Sequence, residues 1–404
     1  MRTVARDFPD VIGAISDDAV RALFSQRFLV ATEIYDELVD AACLRIFEEV
    51  AREFSAEEEL PSHTRPAFHY MVEKLVHAGF LRGVSDAGAA GSAPAIPDAE
   101  APIHLLRKYD LTKTPKSASL IGSQASPASV ESLAAELAAT EPDAAVGAEI
   151  VSLLAAEAPE FFRGTKTGEE ILFSPVRLPL WIRYFSNANI LYAINNTLGA
   201  EALTRVLPPA GADVLEIGGG CGSGAEAALR RLGSRVSRWR FTELVPTFAR
   251  RGERAARAAA APGTLVEAAK LDMTKPWGAQ GVAPGSFDAV YSVNCFHVAP
   301  DLGFVLAEAK TALKPGGVVV VSECVKPGAH PPPSYVDFIF NFLTSFTNVT
   351  LDPLLRPTHG FLSPAAWRAN FTAAGFREVT LVPDVDAVAA RYPKFFVGAI
   401  VARL

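Results

Sequence analysis

From Gly211 onward the chain alternates short apolar runs with amphipathic segments. DVLEIG reads as a strand, SGAEAALRRLG as a helix, RWRFTEL as a strand and TFARRGERAARAAA as a helix. TLVEAAKLD and SFDAVYSVNCFH continue the strands, DLGFVLAEAKTAL is a helix, and the turn KPGG leads into VVVVSE. Apolar strands separated by amphipathic helices imply a doubly wound, mostly parallel sheet covered on both faces. Before Gly211 the rhythm is helical. The segments 40-DAACLRIFEEVAREFS-55 and 66-PAFHYMVEKLVHAGFLRG-83 carry Phe68, Met71, Val72, Leu75, Val76 and Phe80 at helical spacing, with Gly79 near the stop. Helical patterning returns at 128–160 and at 187–206.

Helix, short link, helix and then LRGV is the order of a winged helix. Charge argues against a DNA reader, because the second helix sets Glu73, His69 and His77 against the single Lys74, with no basic stripe. The N-terminal part is therefore expected to be a winged-helix-like lid or dimerisation domain, residues 1–160, with 84–102, rich in Ala, Gly, Ser and Pro, as a flexible segment. Residues 161–404 form the second expected domain, with a core at 211–325 and an insert at about 330–362.

Composition narrows the class. The 404 residues are 50% hydrophobic and 21% charged, with a net charge of −7, which fits neither a nucleic-acid nor an anionic-membrane partner. No apolar run reaches the roughly 18 residues of a spanning helix, and the N-terminus lacks a signal-peptide core. Cys43, Cys221, Cys295 and Cys324 are scattered without metal or disulfide spacing, so a cytoplasmic setting and no metal are expected.

The chemistry begins at 213-DVLEIGGGCGSG-224. Glycines permit φ > 0 and let a ligand approach bare backbone at a helix start. A phosphate loop would need a Lys, and a dinucleotide fingerprint would read G-x-G-x-x-G. Here the order is Glu216-x-Gly218-x-Gly220-x-Gly222, with an acid that suits a cationic ligand. Glu243 ends the next strand, 21 residues past Gly222, where a ribose diol is held in such folds. For each acid alone, the alternative is a surface carboxylate or a helix cap.

The E-x-G-x-G-x-G pattern resembles the first motif of class I S-adenosylmethionine (SAM) methyltransferases. Longer matches resemble the C-methyltransferase domains of polyketide synthases: 241-FTELVPTF-248, the N-x-x-H-A-x-x-D-L-like run inside 279–302, 162-FRGTKTGEEILFS-174, 184-YFSNANILYAINNTL-198 and 361-FLSPAAW-367. The resemblance covers roughly 155–404. The chain departs from it in GGGCGSG for G-A-G-T-G-G, in Glu243 for Asp, and in 335-YVDFIFNFLTSFTNV-349 where the family has tryptophans. A class I methyltransferase fold is implied, with SAM as cofactor and S-adenosylhomocysteine as product. Implied cofactor contacts are Glu216, Gly218, Gly220, Gly222, Glu243 with Leu244, Asp272 at the adenine amine with Met273, and Asn294. For Asn294, a turn role or a substrate contact is the alternative.

Carbon methylation needs a base near neutral pH to form an enolate, and histidine suits that task. His297 follows the fourth strand of the second domain and Glu323 ends the fifth, positions at which the resembled family uses a His–Glu dyad. The alternative is a His297 that caps the next helix or packs on the cofactor. Phe338, Phe342 and Phe346, with Ile339 and Leu343, make an apolar stripe that lines either a core or an acyl pocket, to which Tyr184, Tyr335 and His359 would add polar contacts. The expected activity is C-methylation of a β-keto-type acid, free or carrier-bound, by a stand-alone enzyme that forms no nucleic-acid or membrane contact, with a homodimer left open. The competing readings are a small-molecule O- or N-methyltransferase and a non-catalytic SAM-binding or winged-helix regulator.

Overall fold

The computed structural model describes residues 13, 15–54, 60–83, 109–111, 128–328 and 332–404. The expected flexible segment 84–102 lies outside the described residues, as do 330 and 331 of the expected insert. Two compact units emerge: Leu29–Trp181 with Pro332–Thr347, and Met1–Phe28 with Ile182–Pro331 and Asn348–Leu404. Position 160, where the pattern of the sequence places the domain boundary, falls within the helix Ala145–Phe162 of the first of these units.

The helical unit is built on Gln26–Glu53, Arg65–Ala78, Val130–Thr140 and Ala145–Phe162. Its ends follow local chemistry. Gly79 closes Arg65–Ala78 at φ 82°, a left-handed conformation in which a Cβ is strained. Ser129 caps the next helix by accepting from the Ser132 N–H at 3.2 Å. Two short strands, β1 (Leu81–Gly83) and β2 (Tyr109–Leu111), pair antiparallel with Leu81 opposite Leu111. Buried Leu38, Ile46, Met71, Leu75, Ile150 and Leu154 form the apolar centre. Lys74 is buried beside them and reaches Asp36 at 2.5 Å and Asp40 at 3.1 Å.

The phenylalanine stripe belongs to this unit and is not one helix. It is broken into Asp337–Phe340 and Thr344–Thr347. Phe338 and Phe342 are buried, 5.6 Å apart between ring centroids, and Phe342 lies 4.7 Å from Phe161. Tyr335 stands edge-on to Tyr35 at 5.5 Å.

The second unit holds a seven-stranded sheet. Its strands are β3 (Ala212–Glu216), β4 (Val236–Glu243), β5 (Leu265–Lys270), β6 (Phe287–Val293), β7 (Leu313–Cys324), β8 (Arg377–Val382) and β9 (Val397–Arg403), in the order β5-β4-β3-β6-β7-β9-β8. The first five are parallel, and β9 runs antiparallel to both β7 and β8. Val214, Leu215, Ala289, Val290 and Val319–Val321 are fully buried, as an apolar run covered on both faces must be. From β3 the chain winds outward through β4 and β5, then returns to β6 on the other side of β3. Ligands of such sheets lie at that reversal, beyond the carboxyl ends of the strands. Glu216, Glu243, Val293 and Glu323 stand at those ends. This is the class I methyltransferase fold. Among the described residues no helix is long and apolar enough to cross a membrane.

Candidate active site

The glycine turn is bent by conformation and by crowding. Gly218, Gly220 and Gly222 all have positive φ, at 65°, 55° and 87°. A Cβ on Gly218 would lie 2.2 Å from Cys295 Sγ, and one on Gly222 would lie 2.7 Å from Gly252 Cα. These two glycines therefore let other parts of the chain close in. At Gly220 a Cβ would meet nothing within 4 Å. The turn thus presents bare backbone to open space at the head of the helix Ser223–Leu232.

Two acids support the turn in different ways. Glu243, at the end of β4, accepts from the Gly220 N–H at 2.8 Å with one oxygen and from the Val245 N–H at 2.8 Å with the other. It therefore braces the turn while standing at its edge, and Leu244 beside it is 44% exposed. Glu216 turns inward. It is buried and accepts from Trp239 Nε1 at 2.9 Å. Burial pushes its carboxyl up to about 8, and the charge of Glu243 adds to the rise. Its hydrogen bonds thus go to the protein interior, on Trp239 and the Ala225 N–H.

Asp272 follows β5. Hydrogen bonds from Thr274 and Lys275 hold its carboxyl below the usual range, with Thr274 Oγ1 at 2.6 Å and Lys275 Nζ at 2.9 Å. The Met273 carbonyl accepts from Trp277 Nε1 at 3.2 Å, and its sulfur lies 3.8 Å from Cys295 Sγ. Asn294, directly after β6, has φ 47°, uncommon for a residue with a side chain. Its Oδ1 accepts from the Cys324 N–H at 3.0 Å and from Asn195 Nδ2 at 3.2 Å, which fixes it in that conformation.

The left-handed step at Asn294 turns the chain so that successive N–H groups converge on one carboxylate. Glu323 Oε1 accepts from the main-chain N–H groups of Cys295, Phe296 and His297 at 3.1, 2.9 and 3.3 Å. Glu323 Oε2 lies 2.6 Å from His297 Nδ1. Both side chains are buried, and the His297 ring lies 4.5 Å from that of Phe361. The structure therefore brings His297 and Glu323 into direct contact. The contact directs Nδ1 at the carboxylate and leaves Nε2 on the other side of the ring.

The remaining predicted side chains divide between the units. Tyr184 and His359 belong to the sheet unit, where Tyr184 is buried 5.2 Å from Phe185 and His359 is half-buried. Tyr335, Phe338 and Phe342 belong to the helical unit. Sequence reasoning missed Arg356, whose guanidinium is buried and donates to the carbonyls of Ala299 (2.6 Å) and His297. It also missed Trp239 and Gly252. Arg356 left no trace in the pattern because its partners are main-chain atoms. Among the described residues, no group of three or more His, Cys, Asp or Glu side chains could hold a metal ion.

Residues 215–319 match the family described as "Methyltransferase domain". Polyketide synthase ThaQ of Burkholderia thailandensis is 25% identical over 252 residues, 60% of this chain and 12% of that protein. This chain spans 3–12% of the length of eight of the curated relatives it matches. Among solved structures, the C-methyltransferase domain of the citrinin polyketide synthase superposes at a TM-score of 0.67 with 19% identity, covering 98% of this chain and 97% of that one. The trans-methyltransferase CalH, solved with S-adenosylhomocysteine, gives 0.62 with 19% identity over 92% and 90%. The chain carries a SAM-dependent methyltransferase domain. The open bare-backbone turn at Gly220, braced by Glu243, fits that cofactor.

Proposed function

We propose that this chain transfers the methyl group of SAM to carbon, acting on an activated, β-keto-type acid that is free or linked to a carrier. The observation that carries the reading is the buried His297–Glu323 pair at 2.6 Å, at the carboxyl ends of neighbouring strands. Oxygen and nitrogen acceptors already bear a lone pair, whereas a carbon acceptor must first lose a proton. A buried, carboxylate-oriented imidazole serves that step directly.

In this reading Gly218, Gly220 and Gly222 would hold the methionine end of SAM, Glu243 the ribose and Asp272 the adenine. When bound, SAM supplies an electrophilic methyl group. His297 Nε2 takes the proton α to the substrate carbonyl, and the C–H electron pair becomes the enolate. Glu323 keeps the Nδ1 proton in place and stabilises the imidazolium that results. Three main-chain N–H groups on Glu323 Oε1 keep that carboxylate from swinging away.

His297→Ala is expected to lower turnover about 10²- to 10⁴-fold, the worth of a positioned general base, with little change in SAM affinity. Glu323→Gln is expected to act in the same direction and non-additively with it. With a non-methylating SAM analogue bound, the protein should exchange the substrate's α-hydrogen with D₂O. Absence of exchange, together with near-normal turnover in His297→Ala, would replace this reading with O- or N-methyl transfer.

A further inference from the structure

The turn that carries His297 is held from both ends by buried charge. Glu323 takes its N–H groups. Arg356, 3% exposed, takes its carbonyls, with Nη1 on Ala299 O at 2.6 Å and Nη2 on His297 O. Phe296–Val298 is a single helical turn, so the anion sits at its positive end and the cation at its negative end.

Arg356 makes no carboxylate contact among the described residues, and its buried Nε has no hydrogen-bond partner there. Burial lowers its pKa to about 10, against the opposing pull of the Glu323 charge. A guanidinium buried with two main-chain carbonyls as its polar contacts is expensive to place.

The segment that delivers Arg356 is itself fixed. Asp352 and Arg356 exchange two main-chain hydrogen bonds at 2.9 Å. Asp352 Oδ1 accepts from the Leu354 and Leu355 N–H groups at 2.8 Å, and Asn370 Nδ2 donates to Leu355 O at 2.7 Å. The same segment touches the turn at two further points. The Thr350 N–H donates to Pro300 O at 2.8 Å, and Phe361 packs on the imidazole.

We infer that Arg356 is a positioning residue for His297, clamping the 297–299 main chain so that Nδ1 stays within reach of Glu323. The inference rests on the dyad reading for its catalytic consequence. Its geometric content stands apart from that reading, because the Nδ1–H···Glu323 bond can be observed without turnover. A histidine proton in a short bond to a buried carboxylate gives a far-downfield NMR resonance. It is assignable to His297 by its loss in His297→Ala and its loss or shift in Glu323→Gln.

The test compares the unsubstituted 404-residue chain with Arg356→Met and Arg356→Lys. Arg356→Met is expected to broaden or lose the resonance. It should lower kcat roughly 10- to 100-fold, as expected for misplacement of a catalytic group by a fraction of an ångström, while KM and SAM affinity stay within about twofold. Arg356→Lys, which keeps the charge but reaches one carbonyl, is expected to fall between Met and wild type in both readouts. It also preserves the test if the Met variant fails to fold. A resonance unchanged in both variants, with kcat within twofold of wild type, would overturn the assignment. If His297→Ala retains turnover while Arg356→Met still loses the resonance, the dyad reading fails and the clamp stands.

Discussion

Glu216 and Glu243 lie 27 residues apart, and the fold assigns them different tasks. Glu243 keeps both oxygens on main-chain N–H groups at the rim of the glycine turn. Glu243→Ala is therefore expected to weaken SAM binding by about 1–3 kcal/mol, through loss of a charged acceptor and of the brace on Gly220, as read by calorimetry. Unchanged affinity in a folded variant would remove Glu243 from the cofactor site. Glu216 is raised from 4.5 to about 8, so between those values the native chain holds a proton that the unfolded chain has released. Stability from this group is full below about pH 4.5 and is lost as pH rises through about 8. Glu216→Gln can still accept from Trp239 and has no such slope. Its melting temperature is expected to gain on wild type from pH 5 to pH 8, and a pH-independent gap would refute the buried-acid assignment. The glycine motif announced an acid at 216 from the sequence. Its inward rotamer was not legible, because that depends on an indole two dozen residues away.

At the scale of elements, strands and helices after Gly211 were legible because each is a run long enough to repeat its period. The phenylalanine stripe kept the same period and yet breaks into two short helices, with Phe342, between them, packed on Phe161. Gly252 shows the same limit. It lies inside the helix Pro246–Ala259, where a glycine ordinarily costs about 0.5–1 kcal/mol against alanine. A Cβ at this position would stand 2.2 Å from Phe241 Cζ and 2.7 Å from Gly220 O. Gly252→Ala is thus expected to destabilise by about 1–3 kcal/mol through overpacking, reversing the sign that helix propensity gives. A thermal melt above wild type would show that the glycine turn tolerates displacement. The neighbourhood of His297 and Glu323 was legible for a simpler reason: one follows β6 and the other lies at the end of β7, its neighbour in the sheet, while the left-handed step at Asn294 that completes the contact was not. The clamp by Arg356 was not, because a contact to main-chain oxygen can be made at any sequence.

At the scale of the whole molecule, the alternation of strands and helices specified the sheet unit, while the division of the chain followed tertiary contacts. The segment Pro332–Thr347 joins the helical unit although it lies between β7 and β8 in sequence. The reversed strand β9 has a practical consequence. Its partner β7 points Glu323 toward the reacting end, with Gly398 opposite, while Arg403 pairs with Val318. Leu404 N–H donates to Gly317 O at 2.9 Å, so Leu404 lies roughly 17 Å from Glu323 along β7, at the strand's other end. A fluorescent label placed at position 404 would therefore sit at the opposite end of β7 from Glu323. Single-turnover measurements on protein labelled there should match those on unlabelled protein, whereas a label at exposed Leu244, beside Glu243, should slow them.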